Sequence, residues 1–410
     1  MEQAGLRGGV PQLLDRPGTT SEGASGMGQP RPEQAGTDQS QRPTFCILGA
    51  GHGGTAMAAH LGLMGFPVRL FNRSPERITP IQLAGSIELV APDLVDLPQG
   101  YAPVQVATTD PEEAIVGADI LMVCTPATGH RYMAQRCAPL LTDGQIIVLN
   151  PGRTGGALEF THVLREDGVR ADVIVAEAQT FIYAARMLNP AQVRIFRVKN
   201  SIPVAALPAY RTPEVVRRLR VAFPQFVPGD NVMKTSMDNI GAIFHPAVTV
   251  LNSARIESTH GDFEYYLEGI TPSVARVLER MDAERVAVGE AMGFQCLTAR
   301  QWLYMAYDAA GRTLYDAINA NPGYAGIRAP RTLDTRYLSE DVPMSLVPIS
   351  SLGELLGVPT PTIDHVIGLA CVLHGVDYRA EGRTAERLGL AGMSVKEIRH
   401  YVLEGASLHG

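Results

Sequence analysis

The run Gly49-Ala50-Gly51-His52-Gly53-Gly54 separates a short apolar stretch, Thr44-Phe45-Cys46-Ile47-Leu48, from a small-residue stretch carrying Ala56, Ala58, Ala59 and Leu63. Few folds accommodate that order. The first stretch reads as a buried strand and the second as a helix, with glycines letting the backbone reverse between them. Gly49 suits the tight turn, Gly51 the close approach of a phosphate, and Gly54 the close packing of helix on strand. The start of the helix adds unpaired N–H groups and a positive dipole end. Glycines alone also populate ordinary turns. The flanking strand and helix are what point to a dinucleotide site built from Gly49, Gly51, His52, Gly53 and Gly54.

A second strand follows on schedule at Phe66–Phe71, and further apolar runs lie at Ile120–Cys124, Ile146–Leu149 and Val173–Ala176. Strands alternating with helical segments imply right-handed crossovers and a parallel sheet. After residue 229 the texture is helical. Thr271-Pro272 reads as a capped helix start, followed by Val274, Val277, Leu278, Met281 and Val288 at helical spacing. The expected fold class is therefore α/β: a Rossmann-type doubly wound parallel sheet domain over 44–228, then an all-α C-terminal domain over 229–410. Residues 1–43 hold no aromatic residue but eight glycines and five prolines, so they read as a disordered extension.

Several classes drop out on composition. A formal charge of -7 argues against a nucleic-acid partner, and the longest apolar runs fall short of a membrane span. The five cysteines are scattered without a CxxC pair, which fits reduced thiols in a cytoplasmic enzyme and suggests no metal site.

The end of the second strand commonly selects the cofactor. NAD sites carry an acid there, whereas this chain has Asn72-Arg73-Ser74. Arg73 can pair with a 2′-phosphate and Ser74 can donate to it, which favours NADP(H) while leaving NAD(H) open. Thr125-Pro126 and Asn150 close two later strands on the edge where such sheets bind ligands, placing them at the nicotinamide or substrate. Asp238, His245 and Asn252 are seven apart and would share one helix face, with Gly241 leaving room beside His245. On that evidence alone His245 is as readily a core histidine as a catalytic one. Arg336-Tyr337-Leu338-Ser339-Glu340-Asp341-Val342-Pro343 reads by itself as a solvated loop.

Taken together, the glycine loop, the Asn239–Asn252 stretch with its His245-Pro246, and the Arg336–Pro343 segment followed by Leu346-Val347-Pro348 resemble the opine dehydrogenase family, of the octopine and nopaline type. The resemblance covers nearly everything after residue 44. It implies an active site in the cleft between the two domains and an NAD(P)H-driven reductive condensation of a 2-oxo acid with the amino group of an amino acid. It further implies His245 as the catalytic histidine, Asp341 as its partner, Arg336 as the grip on a substrate carboxylate, and Thr180 at the substrate. Gln179 replaces the family's usual acid, and Ala185 stands where some members have cysteine, which leaves the substrates open. Two other readings remain. One is a ketopantoate- or 3-hydroxyacid-type reductase using Lys234 and Asn239; the other is a non-catalytic cofactor sensor. Monomer and homodimer are both open.

Overall fold

A computed structural model describes residues 42–405, so the expectation for residues 1–43 falls, except for Arg42 and Pro43, outside the described residues. The strands in the first half are β1 (Phe45–Leu48), β2 (Val68–Phe71), β3 (Ser86–Val90), β4 (Gly100–Pro103), β5 (Val106–Thr108) and β6 (Ile120–Val123). They are followed by β7 (Ile146–Leu149), β8 (Ile174–Ala178), β9 (Tyr183–Asn189), β10 (Gln192–Val198), β11 (Ile202–Leu207) and β12 (Phe226–Pro228).

The main sheet has the order β12-β11-β8-β7-β6-β1-β2-β5. From β5 to β8 all pairings are parallel, and these strands are almost wholly buried because the sheet is covered on both faces. β11 then pairs antiparallel to β8, with β12 parallel to β11, so that edge departs from the expected all-parallel pattern. The chain winds outward from β1 through β2 and returns to β6 on the other side of β1. This reversal opens a crevice at the carboxyl ends of β1 and β6, where Gly49–Gly54 and Cys124–Pro126 lie.

A second sheet, β4-β3-β10-β9, was not anticipated. Its central pairing joins Glu88 to Gln192, far apart in sequence, which short runs of alternating residues do not announce. This sheet packs on the helix His52–Leu63 from the side opposite the main sheet, so Ala56, Ala58, Ala59 and Gly62 are all buried. Small residues are what allow a helix to be covered on both sides. A Cβ on Gly62 would lie 2.5 Å from the Pro103 carbonyl oxygen.

Beyond Pro228 the elements among the described residues are helices, including Val232–Met237, Gly241–Leu251 and Pro272–Ala291. The last starts as expected: the Thr271 hydroxyl accepts from the Val274 N–H at 3.4 Å, and Leu278, Met281 and Val288 are buried. The expected continuous polar face does not form. Asp238 ends the helix Val232–Met237 and a new helix begins at Gly241, so Asp238 and His245 belong to different helices. Asp238 is bound by the Lys234 amine and accepts from the Leu297 N–H at 3.1 Å. Asn252 closes the next helix, donating to the Val248 and Gly269 carbonyls at 2.9 Å each. Neither residue reaches His245.

Arg383, fully buried near the carboxyl end, joins the helical part to the sheet edge. It pairs with Glu159 at 2.7 Å and donates to the carbonyls of Gly152, Thr154 and Ala127 at 3.0, 3.1 and 3.2 Å. The loops after β6 and β7 are thus held by one guanidinium.

A Cβ at Gly54 would lie 1.8 Å from the Gly49 carbonyl oxygen, within backbone that cannot yield cheaply. Gly54→Ala should therefore cost about 1–3 kcal/mol in urea unfolding and weaken dinucleotide binding in the same preparation. Wild-type stability and binding in that variant would refute the close-packing role.

Candidate active site

The crevice is a cavity of about 520 Å³ bounded by Gly49, Gly51, Asn72, Arg73, Ser74, Thr125 and Pro126, a size that suits a bound small molecule. Gly49 has φ 115°, a conformation side chains rarely adopt, and a Cβ at Gly51 would meet nothing within 4 Å. The backbone at Gly51 is therefore open to an approaching phosphate. The Thr125 hydroxyl is buried without a protein partner, as expected of a group awaiting a ligand. These residues fit a dinucleotide.

The remaining cofactor candidates divide into wall and scaffold. The Asn72 carboxamide oxygen accepts from the Ala50 N–H at 3.1 Å, so this side chain shapes the glycine loop as well as lining the cavity. Arg73 lies over the Tyr132 ring at 5.8 Å, and Arg77 extends the basic wall; Glu76 lines the same cavity. Gly53 makes room for the Phe181 ring, which a Cβ would meet at 2.5 Å. The His52 imidazole turns away to accept from the Met187 N–H at 3.0 Å. Burial, then the nearby guanidiniums of Arg186, Arg77 and Arg336, lower its pKa, which marks this end of the loop as electropositive.

The structure brings His245 and Asp341 together from 96 residues apart: His245 Nδ1 donates to Asp341 Oδ2 at 2.9 Å. A carboxylate only accepts, so Nδ1 carries the proton and Nε2 is left for chemistry. Tyr337 stacks on the imidazole with centroids 4.3 Å apart, and the Tyr265 hydroxyl donates to the His245 carbonyl at 2.8 Å. The ring is therefore fixed in plane and position.

Asp341 is fully buried, and its other oxygen pairs with Arg153 at 3.0 Å. Burial alone would raise the pKa of this carboxyl, but Arg153 and then His245 outweigh it and hold the group below its ordinary value. Arg153 also faces Glu340 at 3.4 Å. It adopts φ 60°, a left-handed backbone that costs a non-glycine residue about 1–2 kcal/mol. Glu340 in turn accepts from the Ala127 N–H at 3.0 Å and from Arg336 Nε at 2.8 Å. Arg336, at 64% side-chain exposure, thus presents the rest of its guanidinium outward.

Thr180 lies on the sheet side, where its hydroxyl accepts from the Lys199 amine at 2.5 Å. Asn150 is buried: its amide donates to the Val148 carbonyl at 2.8 Å, while its carboxamide oxygen lacks a protein partner. Lys234 is engaged by Asp238, and Asn239 donates to Ser345 at 3.0 Å, so both residues of the rival reductase reading serve structural bonds here. Gln179 donates to the Asp238 carbonyl at 3.2 Å.

Sequence reasoning missed Arg153, Glu340, Tyr337 and Lys199. Arg153 follows β7 on the ligand-binding edge, a position that was itself a signal. Glu340 and Tyr337 lie within the charged segment that reads as a loop. Nothing local distinguishes Lys199.

A dinucleotide-type crevice at the strand ends, together with a His–Asp pair in the helical domain, points to a nicotinamide-dependent dehydrogenase. Comparison narrows this further. Residues 228–374 match the family described as NAD/NADP octopine/nopaline dehydrogenase, alpha-helical domain, and residues 44–162 match the NAD-dependent glycerol-3-phosphate dehydrogenase N-terminus. An opine dehydrogenase of Arthrobacter sp. strain 1C is 40% identical over 359 residues, covering 88% of this chain and 98% of its own. Octopine dehydrogenase solved with NADH and L-arginine shares the fold at TM-score 0.75 and 23% identity, over 90% of this chain and 99% of that one. Yersinopine dehydrogenase with bound NADP+ aligns at TM-score 0.71 and 15% identity, over 85% and 97%. The chain belongs to the opine dehydrogenase family and is an NAD(P)-dependent oxidoreductase of that kind.

If Arg153 offsets the buried charge of Asp341, Arg153→Met should destabilise the protein by about 3–5 kcal/mol at pH 7, the usual cost of breaking a buried pair. A depressed folded pKa contributes stability above the unfolded value, near 3.9, and that contribution is lost as pH falls through the folded pKa. The gap between variant and wild type should thus narrow below about pH 4. Urea unfolding at pH 7 and at pH 3.5 measures it, and a gap independent of pH would contradict the assignment.

Proposed function

We propose that His245 is the acid–base residue of a reductive condensation joining a 2-oxo acid to the amino group of an amino acid, with Asp341 as its partner. The observation that carries this reading is the 2.9 Å bond from His245 Nδ1 to a buried, ionised Asp341. Condensation passes through a carbinolamine that must lose water to give an imine, and the departing oxygen needs a proton. Protonated at Nε2, His245 delivers it; Asp341 stabilises the imidazolium that does so and keeps the ring in the productive tautomer. Tyr337 covers one face of the ring and limits access of water from that side. Arg336 meets the carboxylate of the oxo acid through its outward guanidinium, while Thr180 and Asn150 border the substrate.

The bound cofactor supplies hydride to the imine carbon. Gly49, Gly51 and the N–H groups from His52 to Gly54 would hold its pyrophosphate, and Thr125 and Pro126 would border the nicotinamide. Arg73 and Ser74, with Arg77 beside them, favour NADP(H) through a 2′-phosphate; Asn72 orders the loop beneath. Glu76 lines the same wall, so NAD(H) would still bind. We place this enzyme in the cytoplasm; no helix among the described residues is long and apolar enough to cross a membrane.

The test is NADPH oxidation with pyruvate, 2-oxoglutarate or glyoxylate against each of the twenty amino acids. His245→Ala should lower kcat by about 10²–10⁴-fold with NADPH binding almost intact. Asp341→Asn should do much of the same damage, and the double variant should be little worse than the poorer single one. An active His245→Ala enzyme would overturn the assignment. Carbonyl reduction without added amine would support the reductase reading instead.

Cofactor choice has its own measure. Arg73→Ala should erase much of the NADPH preference, by about 1–3 kcal/mol in the ratio of kcat/KM values. A wild type preferring NADH would place Arg73 among solvated loop residues.

A further inference from the structure

Lys199 lies between β10 and β11, its backbone N–H held by the Ile182 carbonyl at 3.0 Å. Its amine is half-buried and donates to the Thr180 hydroxyl at 2.5 Å. Its charged neighbours are cations, Arg153 and Arg197, and among the described residues it forms no ion pair with a carboxylate. Arg153 is already answered by Asp341 and Glu340, and Arg336 by Glu340. Lys199 is therefore a cation without a carboxylate partner among the described residues, in the field of the Arg153 that pairs with Asp341. Burial, then Arg153 and Arg197, lower its ammonium to about 8. An ammonium has three donors, and Thr180 takes one. A partly desolvated cation with free donors beside other cations is an anion site.

We propose that Lys199, steered by Thr180, anchors the carboxylate of the amino-acid substrate, while Arg336 holds that of the oxo acid. This rests on the condensation reading above. The condensation product carries one carboxylate on each side of its secondary amine, and the two cations belong to different parts of the fold. Arg336 rises from the helical domain, whereas Lys199 comes from the strand region. The placement makes a carboxylate on the amine substrate a requirement for tight binding. It also disfavours amino acids that would direct a cationic side chain toward Lys199, since among the described residues no carboxylate pairs with that amine.

The experiment compares wild type, Lys199→Met and Lys199→Arg, each loaded with NADPH. Steady-state rates would use pyruvate with the best amino acid and with the corresponding decarboxylated amine. Lys199→Met should raise KM for the amino acid by about 10–100-fold, the scale of a hydrogen bond to a charged group, with little change for pyruvate or NADPH. It should also abolish the preference for the amino acid over the amine, and Lys199→Arg should restore part of both. A rise confined to pyruvate, or an unchanged preference for the amino acid, would overturn the proposal; a merely structural role would not move that preference.

Calorimetric binding of N-(1-carboxyethyl)-L-alanine, a dicarboxylate of the product class, to the NADP(H)-loaded proteins separates this from the functional reading. Weaker binding by Lys199→Met supports the anchor even if the wild type turns over no pair, which would sink the reaction assignment alone. Equal binding by the two proteins overturns the anchor while leaving the reaction intact. A wild type that binds no dicarboxylate overturns both.

Discussion

The buried carboxylate of Asp341 is the point on which the proposed active site depends. Removing an ionised carboxylate from water costs several kcal/mol, and here two partners offset that cost, one to each oxygen. His245 comes from the helix Gly241–Leu251 and Arg153 from the loop after β7, so the same carboxylate joins the helical domain to the sheet. Ionisation of Asp341 is what orients the imidazole, and the position of Arg153 is what keeps Asp341 ionised. The orientation of His245 and the packing of helices on the sheet are consequently one electrostatic system.

That system continues outward through Glu340. Its carboxylate receives the Ala127 N–H from the sheet edge and divides its remaining acceptance between Arg153 and Arg336. Arg383 fixes the same loops as well, donating to the carbonyls of Gly152, Thr154 and Ala127. The loops after β6 and β7 can therefore present Thr125 and Asn150 with unpaired polar atoms, because their backbones are satisfied elsewhere. A rigid surround lets a few groups remain poised for ligands.

Much of the fold was legible because it rests on local pattern. The β1 run, the glycine loop and the small-residue helix each announce themselves within a dozen residues, and the helix beginning at Pro272 has its cap and apolar stripe in order. The second sheet was not legible, since β3 meets β10 across about a hundred residues and neither strand is strongly apolar. The heptad spacing of Asp238, His245 and Asn252 misled for a related reason. Spacing assumes one continuous helix, whereas the chain turns at Asp238 and restarts at Gly241.

By itself the sequence determined the glycine loop between strand and helix and the order of sheet and helices, and its resemblance to a family singled out His245, Asp341 and Arg336 as candidates. Those depend on residue type and short-range periodicity, which the chain carries openly. Tertiary structure alone decided that Arg153 sustains the charge of Asp341, that Glu340 bridges two arginines, and that Lys199 stands without a carboxylate partner among the described residues. Charge balance is a property of what surrounds a group in space. Side chains brought together from positions 153, 199, 245 and 341 leave no trace of that balance along the chain.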